Sequence, residues 1–127
     1  MSHAIQGVSD VFLPVRDLDR SIEWYSSMLG FKLVSRNKEG KAAGMNTGNE
    51  IGLCLVQVKN YRPLVFPEND YMTEITFNFR TSDIDQMYNK LVENSVQATE
   101  IYESLDSTFR CFTFKDIDGN NLNVVSE

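Results

Sequence analysis

The sequence predicts an α+β fold made of two successive βαβββ modules. Three observations predict it. Between Asp10 and Leu33 the apolar period is 2, changes to 3.6 at Asp17, and returns to an extended pattern after Gly30. The same strand-then-helix design recurs from Glu74 onward, and the two matching stretches TGNEIGL and DGNNLNV stand near the ends of the two halves. The 127 residues are therefore read as one domain, with module one over about 7–59, a linker over 60–70 and module two over about 71–127.

In chain order, Val11, Leu13 and Val15 alternate with Asp10, Phe12 and Pro14 as a strand with one face on a core. A helix follows, with Asp17 as its N-cap, Gly30 as its stop, and Leu18, Ile22, Tyr25 and Leu29 as its apolar stripe. Trp24 and Tyr25 read as core packing, and Met28 and Met87 as helix-face fillers. Strands are expected over 31–36, 41–46 and from Ile51 to near Lys59, where Ile51, Leu53 and Leu55 alternate with Gly52, Cys54 and Val56. The segment NYRPLVFPEND carries two prolines and reads as the linker. In the second half a strand over 74–79 leads through TSDID into a helix with Ile84, Met87, Tyr88 and Leu91 on one face, followed by strands over 96–102, 109–115 and 121–126.

Composition narrows the function. A chain of this length buries roughly two thirds of its unfolded surface, enough for a core without metal or disulfide staples. The net charge of −6, with twelve scattered Lys and Arg, argues against nucleic acid. The apolar runs are too short to span a membrane. The N-terminus lacks a basic region followed by an apolar run, and Cys54 and Cys111 read as free thiols, so the expected setting is a reducing cytoplasm. His3, the single histidine, reads as a solvated residue near the terminus, and Arg80 and Arg110 as solvated or salt-bridged.

Superposing the halves marks four positions. Asp10 matches Glu74 at an offset of 64, while Gly48 matches Gly119 and Gly52 matches Asn123 at an offset of 71. Strand alternation points Asp10, Gly52, Glu74 and Asn123 away from the helices.

The motif VxDLxxSxxWYxxxLGFxL, present as Val15 to Leu33, together with the ending FTFKDIDGNNLNV, resembles the vicinal oxygen chelate superfamily. That superfamily includes glyoxalase I, bleomycin and fosfomycin resistance proteins and extradiol dioxygenases. The resemblance covers roughly residues 8–126. It implies curved mixed sheets around an inter-module cleft, helices on the outer face, and a homodimer. In metal-dependent relatives the first and last strands of each module supply the ligands, which are the four positions marked above. Here those positions hold Asp10, Glu74 and Asn123, with Gly52 offering no side chain, and the family's histidines are missing.

Two functions follow. Asp10, Glu74 and Asn123 would make an all-oxygen set suited to Mg²⁺ or Mn²⁺ rather than Zn²⁺, in a lyase or isomerase of the glyoxalase kind with Glu74 as general base. The alternative is a binding protein without metal or cofactor. Its cleft, lined by Phe12, Gly52, Cys54, Val56, Thr76 and Asn78, would hold a small organic ligand, and Asp10 and Glu74 would suit a cationic one. Cys54 is not expected to be a nucleophile, because no histidine is available to activate it.

Overall fold

The computed structural model describes residues 4–71, 75–104 and 108–126. His3 and Glu74 lie outside them. The chain divides into two compact units, Met1–Arg62 and Pro63–Glu127. Unit 1 holds β1 (Asp10–Val15), α1 (Leu18–Leu29), β2 (Lys32–Arg36), β3 (Ala42–Asn46) and β4 (Gly52–Gln57). Unit 2 holds β5 (Asn78–Thr81), α2 (Ile84–Glu93), β6 (Tyr102–Glu103), β7 (Arg110–Lys115) and β8 (Asn121–Ser126). Each unit is a four-stranded mixed sheet with one helix, ordered β1-β4-β3-β2 and β5-β8-β7-β6, and only the β1–β4 and β5–β8 pairs are parallel.

The caps form as their residue types dictate. Asp17 accepts from the backbone N–H of Arg20 at 3.1 Å, and the β4 side chain of Gln57 accepts from the N–H of Leu18 at 2.9 Å. Two of the helix's four orphan donors are thereby satisfied. Gly30 ends the helix at φ 72, in the left-handed region that a residue without Cβ enters freely. Asp83 caps α2 in the same way through the N–H of Gln86.

In unit 1 the helix packs on Leu13, Val15, Ala43, Met45, Leu53 and Leu55, with Leu18, Ser21 and Tyr25 as its buried face. The stripe is centred on Ser21 rather than on Ile22 and Leu29, which are half-buried. A small polar residue lets the helix approach the sheet, and an apolar-only pattern does not register it. In unit 2 the core is Ile84, Leu91, Phe112, Phe114, Leu122 and Val124, and Tyr88 meets Phe112 edge-on at 5.3 Å.

Two strands differ from expectation. The strand expected over 74–79 is laddered only from Asn78, although Ile75 is buried and Thr76 exposed. Alternation reports burial, not hydrogen-bond pairing. The strand expected over 96–102 is reduced to an isolated Ala98–Phe114 bridge and the two residues of β6. There the Thr99 hydroxyl accepts from the N–H of Thr113 at 3.0 Å, taking a place a ladder carbonyl would fill.

Candidate functional site

In unit 1 the face opposite α1 carries Asp10, Phe12 and Pro14 from β1 and Gly52, Cys54 and Val56 from β4, paired in that order. Four residues expected to line the ligand site, Phe12, Gly52, Cys54 and Val56, thus come together on one face, and the Phe12 ring is 63% exposed. Gly44 on β3 pairs with Cys54, so glycines leave two gaps beside the thiol. Neighbouring oxygens fill both. A Cβ built on Gly44 would stand 3.0 Å from Ser35 Oγ, and one built on Gly52 would stand 2.8 Å from Asp10 Oδ1. The other Asp10 oxygen accepts from Ser9 Oγ at 2.7 Å.

Burial and this carboxylate act on the thiol in the same direction. Burial pushes the Cys54 thiol above its ordinary value, and the negative charge of Asp10 pushes it further in the same direction. Cys54 is therefore a protonated, weakly nucleophilic group at neutral pH.

Unit 2 presents a different face. Asn78, Asn123 and Thr113 stand in one register row across β5, β8 and β7, on the side opposite Phe112, Leu122 and Val124. Asn123 is 5% exposed, and both its amide nitrogen and its oxygen are engaged. Its amide nitrogen donates to Asn78 Oδ1 at 2.8 Å, and its oxygen accepts from Thr113 Oγ1 at 3.1 Å and from the Tyr102 hydroxyl at 3.4 Å. Thr113 and Tyr102 were not anticipated. Thr113 was legible as the antiparallel partner of Asn123, and Tyr102 reaches the row from β6, where it pairs with Cys111 on the same phase of the sheet as Thr113. Thr76 is exposed and lies outside the ladder.

Within the ladders Asp10 pairs with Gly52 in unit 1, and Asn78 pairs with Asn123 in unit 2.

The two described members of the expected ligand set, Asp10 and Asn123, do not by themselves make a divalent-ion site. Among the described residues no three His, Cys, Asp or Glu side chains group together. The Asn123 oxygen, the one amide oxygen expected to be a ligand, already accepts two hydrogen bonds. A Mg²⁺-like ion asks for near-octahedral oxygen donors, and Asp10 is the single described carboxylate of the expected set.

The Glyoxalase/Bleomycin resistance protein/Dioxygenase superfamily model matches residues 7–124. The chain belongs to this superfamily. It is 27% identical over 121 residues to the metallothiol transferase FosB of Lysinibacillus sphaericus, covering 93% of this chain and 80% of that one. FosB of Staphylococcus haemolyticus is 29% identical over 120 residues, covering 94% and 83%. A superfamily member from Sphaerobacter thermophilus shares the fold at TM-score 0.78 and 24% identity, covering 97% of this chain and 98% of that one. TnmS3, an antibiotic binding protein from a Streptomyces species, does so at TM-score 0.74 and 23% identity, covering 98% of each. No described helix is long and apolar enough to cross a membrane.

Proposed function

We propose that this superfamily member binds a small organic molecule without converting it, and that Asp10 supplies the counter-charge to an organic cation or amine. The observation that carries the reading is the unit 1 face itself. One carboxylate held over a glycine stands at the end of a row whose next level is an exposed phenyl ring beside a half-buried thiol, with an isopropyl group one level further along. An apolar surface with one oriented charge is the chemistry of a small-molecule site. The antibiotic-binding name of TnmS3 supports a non-catalytic use of the fold. The name of the FosB relatives supports metal in those proteins, whereas the saturated amide of Asn123 supports a metal-free site here. A second copy of the chain is the expected partner, and a reducing cytoplasm suits its two free thiols.

The test is a fluorescence titration with proflavine, a planar organic cation, run beside calorimetric titrations with Mn²⁺ and Mg²⁺. Proflavine binds, and Asp10→Asn weakens it about fivefold, the worth of one partly exposed ion pair of about 1 kcal/mol. Neither metal gives a binding isotherm. Mn²⁺ uptake that disappears in both Asp10→Ala and Glu74→Ala would establish the metal-dependent lyase or isomerase reading in its place.

A further inference from the structure

The register of the first sheet sets two rows of side chains across its helix-free face. Asp10, Gly52, Asn46 and Lys32 pair in turn across β1, β4, β3 and β2. Phe12, Cys54, Gly44 and Ser35 make the next row, and the Ser35 hydroxyl standing over Gly44 shows that β2 keeps this phase.

The two edges of this face carry opposite chemistry. The β1 edge has the Asp10 carboxylate and the exposed Phe12 ring. Toward the β2 edge stand the Lys32 ammonium, the Ser35 hydroxyl and the Asn46 amide, all on exposed residues. Asn46 Oδ1 accepts from the N–H of Gly48 at 2.7 Å, so its NH₂ is the group that remains for a ligand. Arg36, the other cation of β2, lies on the helix side and pairs with Asp19 of α1 at 2.8 Å. Among the described residues no carboxylate pairs with Lys32.

Gly52 and Gly44 keep the middle of the face low, with only the Asp10 carboxylate folded over the one and the Ser35 hydroxyl over the other. Three strand spacings, about 14 Å, separate β1 from β2. That span exceeds the screening length of about 8 Å at physiological ionic strength, so the carboxylate and the ammonium do not neutralise each other. Each is left to attract its own counter-charge.

We infer that the helix-free face of the first sheet selects an extended zwitterionic ligand, its cationic end at Asp10 and Phe12 and its anionic end at Lys32 and Asn46. Lys32 is the residue that distinguishes such a ligand from a simple cation. The inference rests on the ligand-binding reading above, which assigns the cationic end alone. A ligand whose charges are held apart by a ring system or a chain spans the face. An α-amino acid, with both charges on one carbon, does not.

The test compares an aminoacridinium dye carrying a hexanoic acid tail with the primary amide of the same dye, which keeps the cation and the chain but not the anion. Both are titrated by fluorescence at low and at high salt. The acid is expected to bind the parent protein about fivefold more tightly than the amide at low salt, and the ratio to fall toward one as salt screens the far pair. Lys32→Met keeps the length of the side chain without its charge and brings the low-salt ratio to about one; Lys32→Gln, polar at the same exposed position, repeats the result. Arg36→Met, whose charge faces the helix side, keeps the ratio of the parent. Asp10→Asn weakens the acid and the amide by the same factor. Affinity for the acid no higher than for the amide in the parent protein, or a preference that survives both Lys32 variants, overturns this inference and leaves the proflavine result standing. Failure of proflavine and of both tailed dyes to bind the parent protein overturns the ligand-binding reading with it.

Discussion

The Asp10 carboxylate occupies the space that a side chain at position 52 would fill, with Oδ1 2.8 Å from the position of a Cβ built on Gly52. The next contact of that Cβ is Met45 O at 3.6 Å, an ordinary van der Waals distance. The obstacle to a larger residue is thus the end of a mobile side chain, not the backbone.

Gly52→Ala separates stability from binding. The carboxylate swings outward, and the loss of glycine's unfolded-state freedom offsets the lost contact, so stability changes by less than about 1 kcal/mol. Proflavine affinity falls as it does in Asp10→Asn, because the charge leaves its place on the sheet face. Urea unfolding and the dye titration, run on the same preparation, check the two halves. A fall in stability of several kcal/mol would mean that the carboxylate cannot move.

The Cys54 thiol is raised by burial and then by Asp10, and the Cys111 thiol is raised by burial. Raised values mean that the native state holds these protons more tightly than the unfolded chain does. The resulting stability is complete below the ordinary thiol value of about 8.5 and is lost as pH rises through the native values. Iodoacetamide therefore labels Cys54 slowly at neutral pH, and its rate rises on the alkaline side of a free thiol. Asp10→Asn removes one of the two causes and moves that profile toward lower pH. An identical profile in the variant would sink the electrostatic part of the account.

Asp85 in the first turn of α2 and Arg110 at the start of β7 form a two-bond pair at 2.8 and 3.1 Å. The hydrogen bonds from Arg110 lower the Asp85 carboxyl, so the pair stabilises above the ordinary carboxylate range and its contribution fades as pH falls through the lowered value. Both side chains are largely exposed, and the effect is small and screened by salt. Asp85→Asn lowers the acid-side midpoint difference between low and high salt without touching dye binding. Acid unfolding curves at two salt concentrations check it.

Most of the fold was legible in the sequence because it is written in period and caps. Asp17, Gly30 and the alternation of Leu53 and Leu55 specify local geometry directly, and the structure carries them unchanged. The site was legible only as a set of phases. Alternation placed Phe12, Gly52, Cys54 and Val56 on one face, but level along a strand depends on register, which pairing partners decide. The residue that register sets beside Asn123 is Asn78. Tyr102 falls within the strand expected over 96–102, but its reach to Asn123 depends on the pairing of β6 with β7, which the sequence does not state.

Asn120 is the centre of a buried hydrogen-bond network in unit 2. It is fully buried, and its oxygen accepts from the backbone N–H of Leu64 at 3.1 Å, so the segment expected to be the linker is tied down at that point. Its amide and backbone nitrogens donate to the two oxygens of Asp116 at 2.8 and 2.9 Å, and Asp116 is itself only 6% exposed. Asn120→Ala removes the amide and leaves a carboxyl oxygen and a backbone donor without their partners, a loss of about 2–4 kcal/mol. Asn120→Asp keeps the acceptor for Leu64 but turns the donor to Asp116 into a second acceptor, and is at least as damaging. Urea unfolding followed by tryptophan fluorescence and by circular dichroism checks both variants, with Asn121→Ala, at the half-buried first position of β8, as the comparison. A loss below about 0.5 kcal/mol in Asn120→Ala would show that water replaces the amide and that the buried network does not hold the segment.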